Sequence, residues 1–545
     1  MFLRHLLCVC MSVAARGASI SLNATTIAHL GWVRATIVLD APATSNVFLT
    51  VHTPSAANVS TIPAQPYPAE APWLASSAQK WITCGAIAGC EGQTTFSWNF
   101  SIVNSYADAI IHVFEGGLES PVLLASSPAI TFSSPSAPSR GHLTRFEDPS
   151  IMLVTWWSPA DESNGARVKW GPSPTSLTSS APATSATYTK ADMCGAPATG
   201  MGWQPAHFWL SANVTGLTPG SAAPVFYAFG DDVNGWSAPV SFVPPPITGD
   251  GSATTRILLL ADNGVTEPDG CQNHWDEPDA SLTVEHLREE IEGGAGWSLI
   301  LHPGDVSYAT GNLAKWSTYT ARWAGVNDRV PYFVGQGNHE RDFPGSHTDP
   351  SYETSADSGG ECGVVTNTIF PRSVEARALS HGLVHVVMLN SEMPVGVGSA
   401  QFDFLNTTLA AIDRTVTPWS VVAFHRPLYY VAKGGAGGFR DTHFAPLEPL
   451  LVSHGVDAVL IGHVHNALVT CPVDNSVCTP GAPVHICIGN AGQGITDIQP
   501  SVPEWVLFQE AAYGFATLEA TRNSMTIKLF ADEGGQMWYA ANFTR

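Results

Sequence analysis

Residues 255–262 read TRILLLAD, an uninterrupted apolar run that ends in the carboxylate of Asp262. Residues 281–294, SLTVEHLREEIEGG, follow with apolar side chains (Leu282, Leu287 and Ile291) at helical spacing and a terminal glycine pair. Residues 297–305, WSLILHPGD, form a second apolar run. A strand, a helix and a strand in this order, with strands that are apolar on both faces, predict an α/β unit built around a buried sheet.

The same pattern continues towards the C-terminus, with apolar runs in VPYFVGQGNHE, LVHVVMLNSE, SVVAFHRP and VDAVLIGHVHN. Five of the runs in this half are followed by side chains that bind metals: Asp262; Asp305 with Tyr308; Asn338 with His339; His425; and His463 with His465. Ligand sites in open α/β sheets form beyond the carboxyl ends of the strands. We therefore expect these five strand ends to converge on one place.

Each of these residues also has a purely structural explanation. Asp262 in ADNG is typical of a turn, Asp305 is suited to cap a helix, and His425 to sit in a polar turn. His463 and His465 are harder to explain in this way, because two imidazoles after a buried run are costly to leave unpaired. The ordered combination, rather than any one residue, favours a site.

Oxygen ligands from Asp, Asn and Tyr, together with imidazole nitrogens, suit Fe, Zn or Mn better than a soft thiolate-binding metal. Seven such side chains with one shared carboxylate describe a two-metal hydrolytic centre, which can clamp a phosphoryl group. A phenolate ligand favours a ferric ion, and a ferric ion predicts activity at acidic pH.

Composition indicates several domains, since the chain has 545 residues and ~150 residues per domain is usual. Short alternating runs separated by Gly, Pro, Asn and Ser fill residues 20–245 and predict β-sandwich modules. Stretches rich in Ser and Pro at 130–140 and 243–253 are expected linkers. A net charge of −22 without any Lys/Arg run argues against nucleic-acid binding.

Residues 1–17 have the features of a secretory signal peptide, and no later apolar stretch is long enough for a membrane span. Six N-x-[ST] sequons are expected glycosylation sites: Asn23, Asn58, Asn99, Asn213, Asn406 and Asn542. We therefore expect a secreted, extracellular glycoprotein, with the cell wall and the vacuole as alternative destinations.

Eight of the ten cysteines lie beyond the predicted signal, and some should pair in an oxidising compartment. Cys84 with Cys90, and Cys471 with Cys478, are close enough in sequence to close small loops. The remaining four allow three pairings, between which the sequence does not choose: Cys194, Cys271, Cys362 and Cys487.

The ordered set DNG, GDVSY, GNHE, VVAFH and GHVH resembles the metallophosphoesterases, and Tyr308 in GDVSYA points to the purple acid phosphatases among them. The segments DMCGAPATGMGW (192–203), DSGGECGV (357–364) and GNAGQG (489–494) resemble the large, plant-type branch of that family. The resemblance covers roughly residues 140–545, and the branch has an additional N-terminal β-domain.

The resemblance implies a fold with four segments. After the signal (1–17), we expect an N-terminal β-domain (18–135), a fibronectin-III-like purple acid phosphatase N-terminal domain (136–247) and a calcineurin-like metallophosphoesterase domain (253–545). The catalytic domain is expected to be α/β (α+β), a two-sheet β-sandwich flanked by helices. The preceding domains are expected to be all-β and fibronectin-III-like or Ig-like.

The resemblance also implies a role for each site residue. Asp262, Tyr308 and His465 are expected to bind Fe(III). Asn338, His425 and His463 are expected to bind a divalent ion (Zn, Mn or Fe), with Asp305 bridging both. Phosphorus would be attacked by a metal hydroxide. The catalytic candidate His339 would contact the phosphate or protonate the leaving oxygen, although orienting Asn338 is an equal alternative.

Expected substrate contacts are Asn338, His339, Arg440 and His443, and the glycine-rich stretch that contains Lys433 is an expected lid. In GQGNHERD, Glu340 is expected to orient its neighbours, and Arg341 with Asp342 to form a solvated pair. Two departures from the family pattern are Asn263, where a hydrophobic residue is usual, and ALV at 467–469, where Tyr-Glu-Arg is usual.

The expected function is a secreted acid phosphatase that hydrolyses small phosphate monoesters. A phosphodiesterase or nucleotide pyrophosphatase acting at the same site is one alternative. A non-catalytic, metal-binding surface glycoprotein is another.

Overall fold

The structure is a computed structural model and describes residues 17–54, 65–67, 71–73, 78–118, 121–272, 277–346, 349, 351, 354–431, 439–499 and 501–545. The expected signal segment up to residue 16, the sequon Asn58 and Lys433 in the glycine-rich stretch lie outside these residues. The described chain divides into two compact units. One comprises the residues up to Ser133 together with Asp269–Cys271, and the other comprises Ser134–Pro268 and Gln272–Arg545.

The first unit is all-β. Its main sheets have the strand orders β1-β3-β8 and β10-β9-β4-β7, and two small ribbons pair β2 with β11 and β5 with β6. Strand β3 alternates buried and exposed residues, as a strand with one face in the core must. Both main sheets contribute to one apolar core. The strands are β1 (Ala18–Leu22), β2 (Thr26–Ile27), β3 (Gly31–Leu39), β4 (Phe48–His52), β5 (Gln65–Tyr67), β6 (Ala71–Trp73), β7 (Ala78–Thr83), β8 (Thr95–Ile102), β9 (Ile110–Glu115), β10 (Val122–Ser126) and β11 (Thr131–Phe132).

The second unit begins with another β-sandwich. Its sheets have the orders β12-β13-β17-β16 and β15-β14-β18-β19, with β20 also paired to β18. Large aromatic residues from both sheets, including Trp156, Tyr227 and Phe229, are buried between them. The strands are β12 (Ser139–Thr144), β13 (Met152–Ser158), β14 (Arg167–Gly171), β15 (Ser179–Pro182), β16 (Thr184–Ala186), β17 (Phe208–Val214), β18 (Val225–Asp231), β19 (Gly235–Trp236) and β20 (Val240–Phe242).

The rest of the second unit packs two larger sheets face to face. A six-stranded sheet has the order β23-β22-β21-β34-β35-β36, and an eight-stranded sheet has the order β24-β25-β26-β29-β32-β30-β31 with β33 paired to β30. The strands are β21 (Thr255–Leu259), β22 (Leu299–His302), β23 (Tyr332–Val334), β24 (Arg377–His381), β25 (Val384–Met388), β26 (Trp419–Ala423), β27 (Tyr429–Tyr430), β28 (Phe439–Arg440), β29 (Ala458–Ile461), β30 (Ala467–Asp474), β31 (Val477–Cys478), β32 (Val484–Ile488), β33 (Val506–Glu510), β34 (Gly514–Ala520), β35 (Ser524–Ala531) and β36 (Met537–Thr544).

Helices connect and flank these sheets. The α-helices are α1 (Ala280–Glu292), α2 (Leu313–Arg322), α3 (Asn338–Arg341), α4 (Val364–Ile369), α5 (Ala400–Ala410) and α6 (Glu448–Ser453). Short 3-10 helices occur at Cys84–Ala86, Glu162–Asn164, Lys190–Asp192, Ala445–Leu447 and Glu533–Gly535. In the described residues, no helix is long and apolar enough to cross a membrane.

The expected fold class is confirmed. A single apolar cluster takes residues from both large sheets, among them Leu259, Leu301, Val421, Leu460 and Leu518. Strands β21, β22 and β23 are parallel, and so are β25, β26, β29 and β32. Strands buried between a second sheet and flanking helices are apolar on both faces, which explains the continuous apolar runs of the sequence.

Three disulfides resolve the cysteine pairings that the sequence left open. Cys84 pairs with Cys90, Cys471 with Cys478, and Cys194 with Cys362, the last across 168 residues of chain. The thiol of Cys487 is buried and lies outside these disulfides. The two short-range pairs agree with the expectation from sequence spacing.

Helix α1 forms where the sequence predicted it, but its buried face differs in one position. Leu287 is fully buried, whereas Leu282 is 40% exposed. The buried face is made by Ala280, Thr283, Val284 and Leu287, which recur at three- and four-residue intervals. Leu282, one of the three apolar residues that predicted the helix, lies off this stripe.

The two leucines of α1 form a matched pair for a stability test. We expect Leu287→Ala to lower the free energy of unfolding by about 2–5 kcal/mol, because the substitution leaves a cavity under the helix. We expect Leu282→Ala to change it by no more than about 0.5 kcal/mol, because the side chain already faces solvent. Urea unfolding of the two variants and the wild type measures both values, and equal losses would contradict this burial pattern.

Candidate metal centre

The seven predicted metal-ligand side chains lie together in the structure. The six-stranded sheet contributes those that follow β21, β22 and β23, and the eight-stranded sheet contributes those that follow β26 and β29. All five strands belong to parallel pairs, so their carboxyl ends reach the same edge of the sandwich. The residues are Asp262, Asp305, Tyr308, Asn338, His425, His463 and His465.

Backbone strain at these strand ends turns the side chains inward. Asp262, Asp305, Tyr308 and His463 all have positive φ, between 50° and 67°. A residue other than glycine adopts this conformation at a cost of roughly 1–2 kcal/mol, so several such residues in one place indicate a constraint imposed by the site. In the sequence, these residues lie shortly after the apolar runs that form the strands.

Two glycines lie against the carboxylates of the centre, where a residue with a Cβ would not fit. A Cβ added at Gly337 would lie 2.3 Å from Asp305 Oδ1, and one at Gly462 would lie 2.4 Å from Asp262 Oδ2. These distances are well below van der Waals contact. The glycines of GQGNHE and GHVH thus allow the backbone to approach the two carboxylates closely.

One group of ligand atoms surrounds the phenol of Tyr308. Its hydroxyl oxygen lies 3.0 Å from Asp262 Oδ1 and 3.2 Å from Asp305 Oδ2, so the two carboxylates are alternative acceptors for its single proton. The same hydroxyl lies 3.0 Å from His465 Nε2, and that nitrogen lies 3.4 Å from Asp262 Oδ1. Asp262, Asp305 and His465 together present donor atoms close enough to hold one metal ion.

A second group surrounds the amide oxygen of Asn338. This Oδ1 lies 3.0 Å from His425 Nε2 and 2.9 Å from His463 Nδ1. His425 Nε2 is also 3.2 Å from Asp305 Oδ2. Asp305, His425 and His463 likewise present donor atoms close enough for one ion. Asp305 belongs to both groups, which is the arrangement that a shared bridging carboxylate requires.

The electrostatics of the centre are those of a cation site. Asp262 and Asp305 are buried, and in the described chain their ion pairs are with histidines rather than with Lys or Arg. Two buried carboxylates cost several kcal/mol each unless a positive charge compensates them. The donor set of carboxylate, phenol, amide and imidazole therefore fits a pair of hard or borderline cations.

The pKa of His425 reflects the negative charge of the centre. Burial acts to lower this pKa, but the nearby Asp305 and Asp262 carboxylates outweigh burial and raise it to about 9. A metal ion binds only a deprotonated imidazole nitrogen, so an ion and a proton would compete for His425 Nε2.

His339 lies beside Asp305 and Tyr308 and is partly exposed. Its backbone N–H donates to Asp305 Oδ1 at 3.0 Å, and its ring packs against Tyr308 with ring centres 4.6 Å apart. The imidazole is 19% exposed, and its Nε2 is 3.9 Å from Asp305 Oδ2. The imidazole is thus partly accessible, and its catalytic role stays a prediction.

The residues that follow His339 support the centre, and one expectation for them was wrong. Glu340 accepts hydrogen bonds from the backbone N–H groups of Asp305 and Val306, as an orienting residue should. Burial, aided by the Asp305 charge, raises the pKa of Glu340 to about 8. Arg341 and Asp342 are not a solvated pair.

Asp342 is buried and pairs with Arg426 at 2.9 Å, whereas Arg341 donates to the backbone carbonyls of Cys362 and Ser346. The sequence could not show this arrangement, because the partner of Asp342 is 84 residues away. The expectation that Asp342 is exposed to solvent came only from the polar residues next to it in the sequence.

Two supporting residues were missed by sequence reasoning. Arg426 lies 3.2 Å from His463 Nε2 and is held by Glu392 at 2.7 Å. Asp357 accepts a hydrogen bond from the Asn338 amide nitrogen at 2.9 Å. Arg426 lies in HRP and Asp357 lies in DSGGECGV, two segments that resemble the family. That resemblance could have drawn attention to both residues.

The other two predicted substrate contacts bind neighbours away from the ligand set. Arg440 Nε donates to Glu448 at 2.9 Å, and His443 Nδ1 lies 3.2 Å from the Ser351 hydroxyl. Residues 432–438, between these contacts and the HRP segment, are outside the described chain. Substrate binding by Arg440 and His443 stays a prediction.

The two departures from the family pattern have structural explanations. The Asn263 side chain is buried and donates to the carbonyls of Ala280 and Ala491, so it ties the Asp262 turn to two neighbouring segments. The residues at 467–469 start strand β30 and are buried, so small apolar side chains suit them. Neither departure alters a predicted metal ligand.

Comparisons with known proteins agree with this geometry. The family profiles that match are the Fn3-like domain from purple acid phosphatase over residues 17–134, the purple acid phosphatase N-terminal domain over 138–243, the calcineurin-like phosphoesterase over 255–467, and the iron/zinc purple acid phosphatase-like protein C over 482–537. Together these profiles span most of the chain.

Individual relatives show the same family. The Arabidopsis thaliana protein named probable inactive purple acid phosphatase 24 is 30% identical over 87% of this chain and 80% of its own. The Hordeum vulgare nucleotide pyrophosphatase/phosphodiesterase is 31% identical over 53% of this chain and 82% of its own. A purple acid phosphatase from yellow lupin (Lupinus luteus) seeds has a solved structure with a TM-score of 0.90 and 26% identity, covering 97% of this chain and 96% of that one. The chain therefore belongs to the purple acid phosphatases, in their plant-type branch.

Proposed function

We propose that this protein is a secreted, two-metal acid phosphatase that hydrolyses small phosphate monoesters. The observation that carries the proposal is the convergence of all seven ligand-type side chains, with the Asp305 carboxylate common to both groups. A protein that had lost the activity would be expected to have lost at least one of these residues. None of the seven is replaced.

The two groups of side chains suit two different ions. Asp262, Tyr308 and His465 would hold a ferric ion, since phenolate is a ligand that Fe(III) prefers. Asn338, His425 and His463 would hold the divalent ion (Zn, Mn or Fe), and Asp305 would contact both. When bound, such a pair neutralises phosphate charge and makes water a better nucleophile.

The protein's own residues contribute binding and proton transfer around that centre. His339 is partly exposed beside Asp305, where its imidazole can contact a phosphate oxygen or donate a proton to the leaving oxygen. Its backbone N–H holds Asp305, so the position of the ring is tied to that of the shared carboxylate. Asn338 is expected to contact the phosphate beside it.

Two other functions have support from relatives. The similarity to a nucleotide pyrophosphatase/phosphodiesterase from barley favours diester or nucleotide hydrolysis as the second candidate. Three relatives from Arabidopsis thaliana carry names that describe them as probable inactive enzymes, which favours a non-catalytic metal-binding glycoprotein as the third. The intact ligand set ranks catalysis above that third candidate.

Secretion is supported by the chemistry of the surface and of the cysteines. The described sequon asparagines are all exposed: Asn23, Asn99, Asn213, Asn406 and Asn542. The three disulfides suit an oxidising compartment. The expected partners are small phosphate esters rather than nucleic acids, since the net charge is −22.

A panel of phosphate monoesters, diesters, nucleotides and phytate tests the proposed substrate class. We expect the highest kcat/KM on monoesters, with a maximum at acidic pH. A higher kcat/KM on diesters or nucleotides would favour the second candidate. The absence of turnover on every substrate by the two-metal protein would favour the third.

Removal of a predicted ligand should remove metal and activity together. We expect Asp305→Ala and His463→Ala each to lower activity by more than ~100-fold. Loss of a residue that only orients a metal ligand typically costs up to ~100-fold, and these substitutions remove predicted ligands themselves. Metal analysis of the purified variants should show fewer than two ions per chain. His454→Ala, a histidine outside the ligand set, is the control. Full turnover by metal-depleted His463→Ala would contradict the mechanism.

The ferric assignment makes a spectroscopic prediction. The protein should have a visible charge-transfer band from the Tyr308 phenolate to Fe(III), and Tyr308→Phe should abolish it. Tyr319→Phe, which removes a buried phenol outside the ligand set, should keep the band. An active protein that contains two divalent ions and no visible band would refute the ferric assignment.

A further inference from the structure

The loop formed by residues 357–363, DSGGECG, contributes none of the seven ligands, yet it is bonded to the centre at both ends. Near its start, the Ser358 N–H donates to the carbonyl of Asp342 at 3.0 Å. At its end, the Gly363 N–H donates to the carbonyl of Glu340 at 2.7 Å. The 357–363 loop is therefore fixed to the turn that carries Asn338.

A second segment fixes the 357–363 loop from the other side. The Cys194 N–H donates to the Gly360 carbonyl at 2.8 Å, and the Ala198 N–H donates to the Gly359 carbonyl at 3.0 Å. A disulfide joins Cys194 to Cys362. The segment 192–203, DMCGAPATGMGW, which the metal chemistry leaves unexplained, thus acts as a support for this loop.

The loop also packs closely against the residues that follow Tyr308. A Cβ at Gly359 would lie 1.9 Å from the Thr310 carbonyl oxygen, and Gly359 has a positive φ of 57°. The Glu361 carboxylate accepts from the Gly311 N–H and from the Trp316 indole N–H, each at 2.7 Å. Gly359 and the buried carboxylate of Glu361 thereby fix the position of the loop relative to the residues that follow Tyr308.

What this rigid loop presents to the centre is the carboxylate of Asp357. Its Oδ2 accepts the Asn338 amide N–H at 2.9 Å. The two ends of an amide are nearly the same size, so shape alone does not decide which end faces the ions. A carboxylate can only accept, and its contact with the nitrogen leaves the Asn338 oxygen facing His425 and His463.

We propose that Asp357 is the positioning residue for the divalent-ion half of the centre, and that the 357–363 loop, with its disulfide, serves to hold Asp357 against the Asn338 amide. The inference rests on the two-metal centre proposed above. Residues that orient a metal ligand typically contribute about 10–100-fold to metal affinity. The effect should be confined to the group that contains Asn338, because Asp262, Tyr308 and His465 have no part in this contact.

The test compares Asp357→Ala with Asp357→Asn in the full-length, iron-loaded protein. Zn²⁺ binding is measured by titration in a chelator-buffered series, and iron by metal analysis and the visible band. We expect Asp357→Ala to weaken Zn²⁺ binding by about 10–100-fold, with iron content and band retained. Asp357→Asn keeps an acceptor oxygen without the charge, and its Zn²⁺ affinity should be closer to that of the wild type. Asp403→Ala, which removes an exposed carboxylate on α5, should bind Zn²⁺ as the wild type does.

Three results would overturn the proposal. Zn²⁺ affinity of Asp357→Ala within about twofold of the wild type would show that the contact does not position Asn338. Equal loss of zinc and iron would assign the loop a role in the whole centre. Equal weakening of Zn²⁺ binding by Asp357→Ala and Asp357→Asn would show that the negative charge of Asp357 matters rather than its hydrogen bond to Asn338.

The proposed function can fail separately. A wild-type protein that binds both ions but does not turn over any phosphate ester would overturn the phosphatase proposal and leave the role of Asp357 intact. A wild-type protein that binds neither ion would overturn both.

Discussion

The centre depends on one buried carboxylate, that of Asp305, lying between two groups of ligand atoms. Its Oδ1 accepts the His339 N–H, while its Oδ2 accepts the Tyr308 hydroxyl and lies 3.2 Å from His425 Nε2. A buried carboxylate needs a compensating positive charge, and Asp262 nearby adds a second negative one. Positive charge is therefore favoured at this point, and the same two carboxylates raise the pKa of His425.

The surrounding structure holds Asp305 by its backbone as well as by its side chain. The Asp305 N–H donates to Glu340, and its carbonyl accepts from the Asn263 N–H. The same carbonyl lies 3.3 Å from His302 Nε2, and the other nitrogen of His302 bonds to the Tyr332 hydroxyl. Because these partners come from β22, β23 and the turns after β21 and β23, displacement of Asp305 would disturb several elements at once. This cooperative support explains how the site can maintain positive φ at four of its ligands.

The parts of this arrangement that the sequence predicted are those encoded locally. Apolar runs that end in Asp, Asn or His predicted the strands and the grouping of polar side chains at their carboxyl ends, because each run and the side chain after it are adjacent in the sequence. The apolar spacing predicted helix α1 but did not define its buried face, since Leu282 is apolar and lies off the buried stripe. Asp342, Arg426 and Asp357 were misread or missed because their partners are 19 to 84 residues distant in the sequence, and polarity by itself does not distinguish a solvated residue from a buried, paired one.

The proposed two-metal chemistry would serve monoesters and diesters alike, so substrate preference would come from the surroundings of the ions rather than from the ions themselves. The residues at 467–469 start strand β30 and are buried. The ligand-side network leads instead to another segment. Arg426 contacts His463 and is held by Glu392, whose carbonyl accepts the Asp349 N–H, and the Asp349 carboxylate lies 3.5 Å from His443. Four consecutive contacts therefore join His443 to the predicted metal ligand His463, and a substitution near His443 has a physical route to the centre.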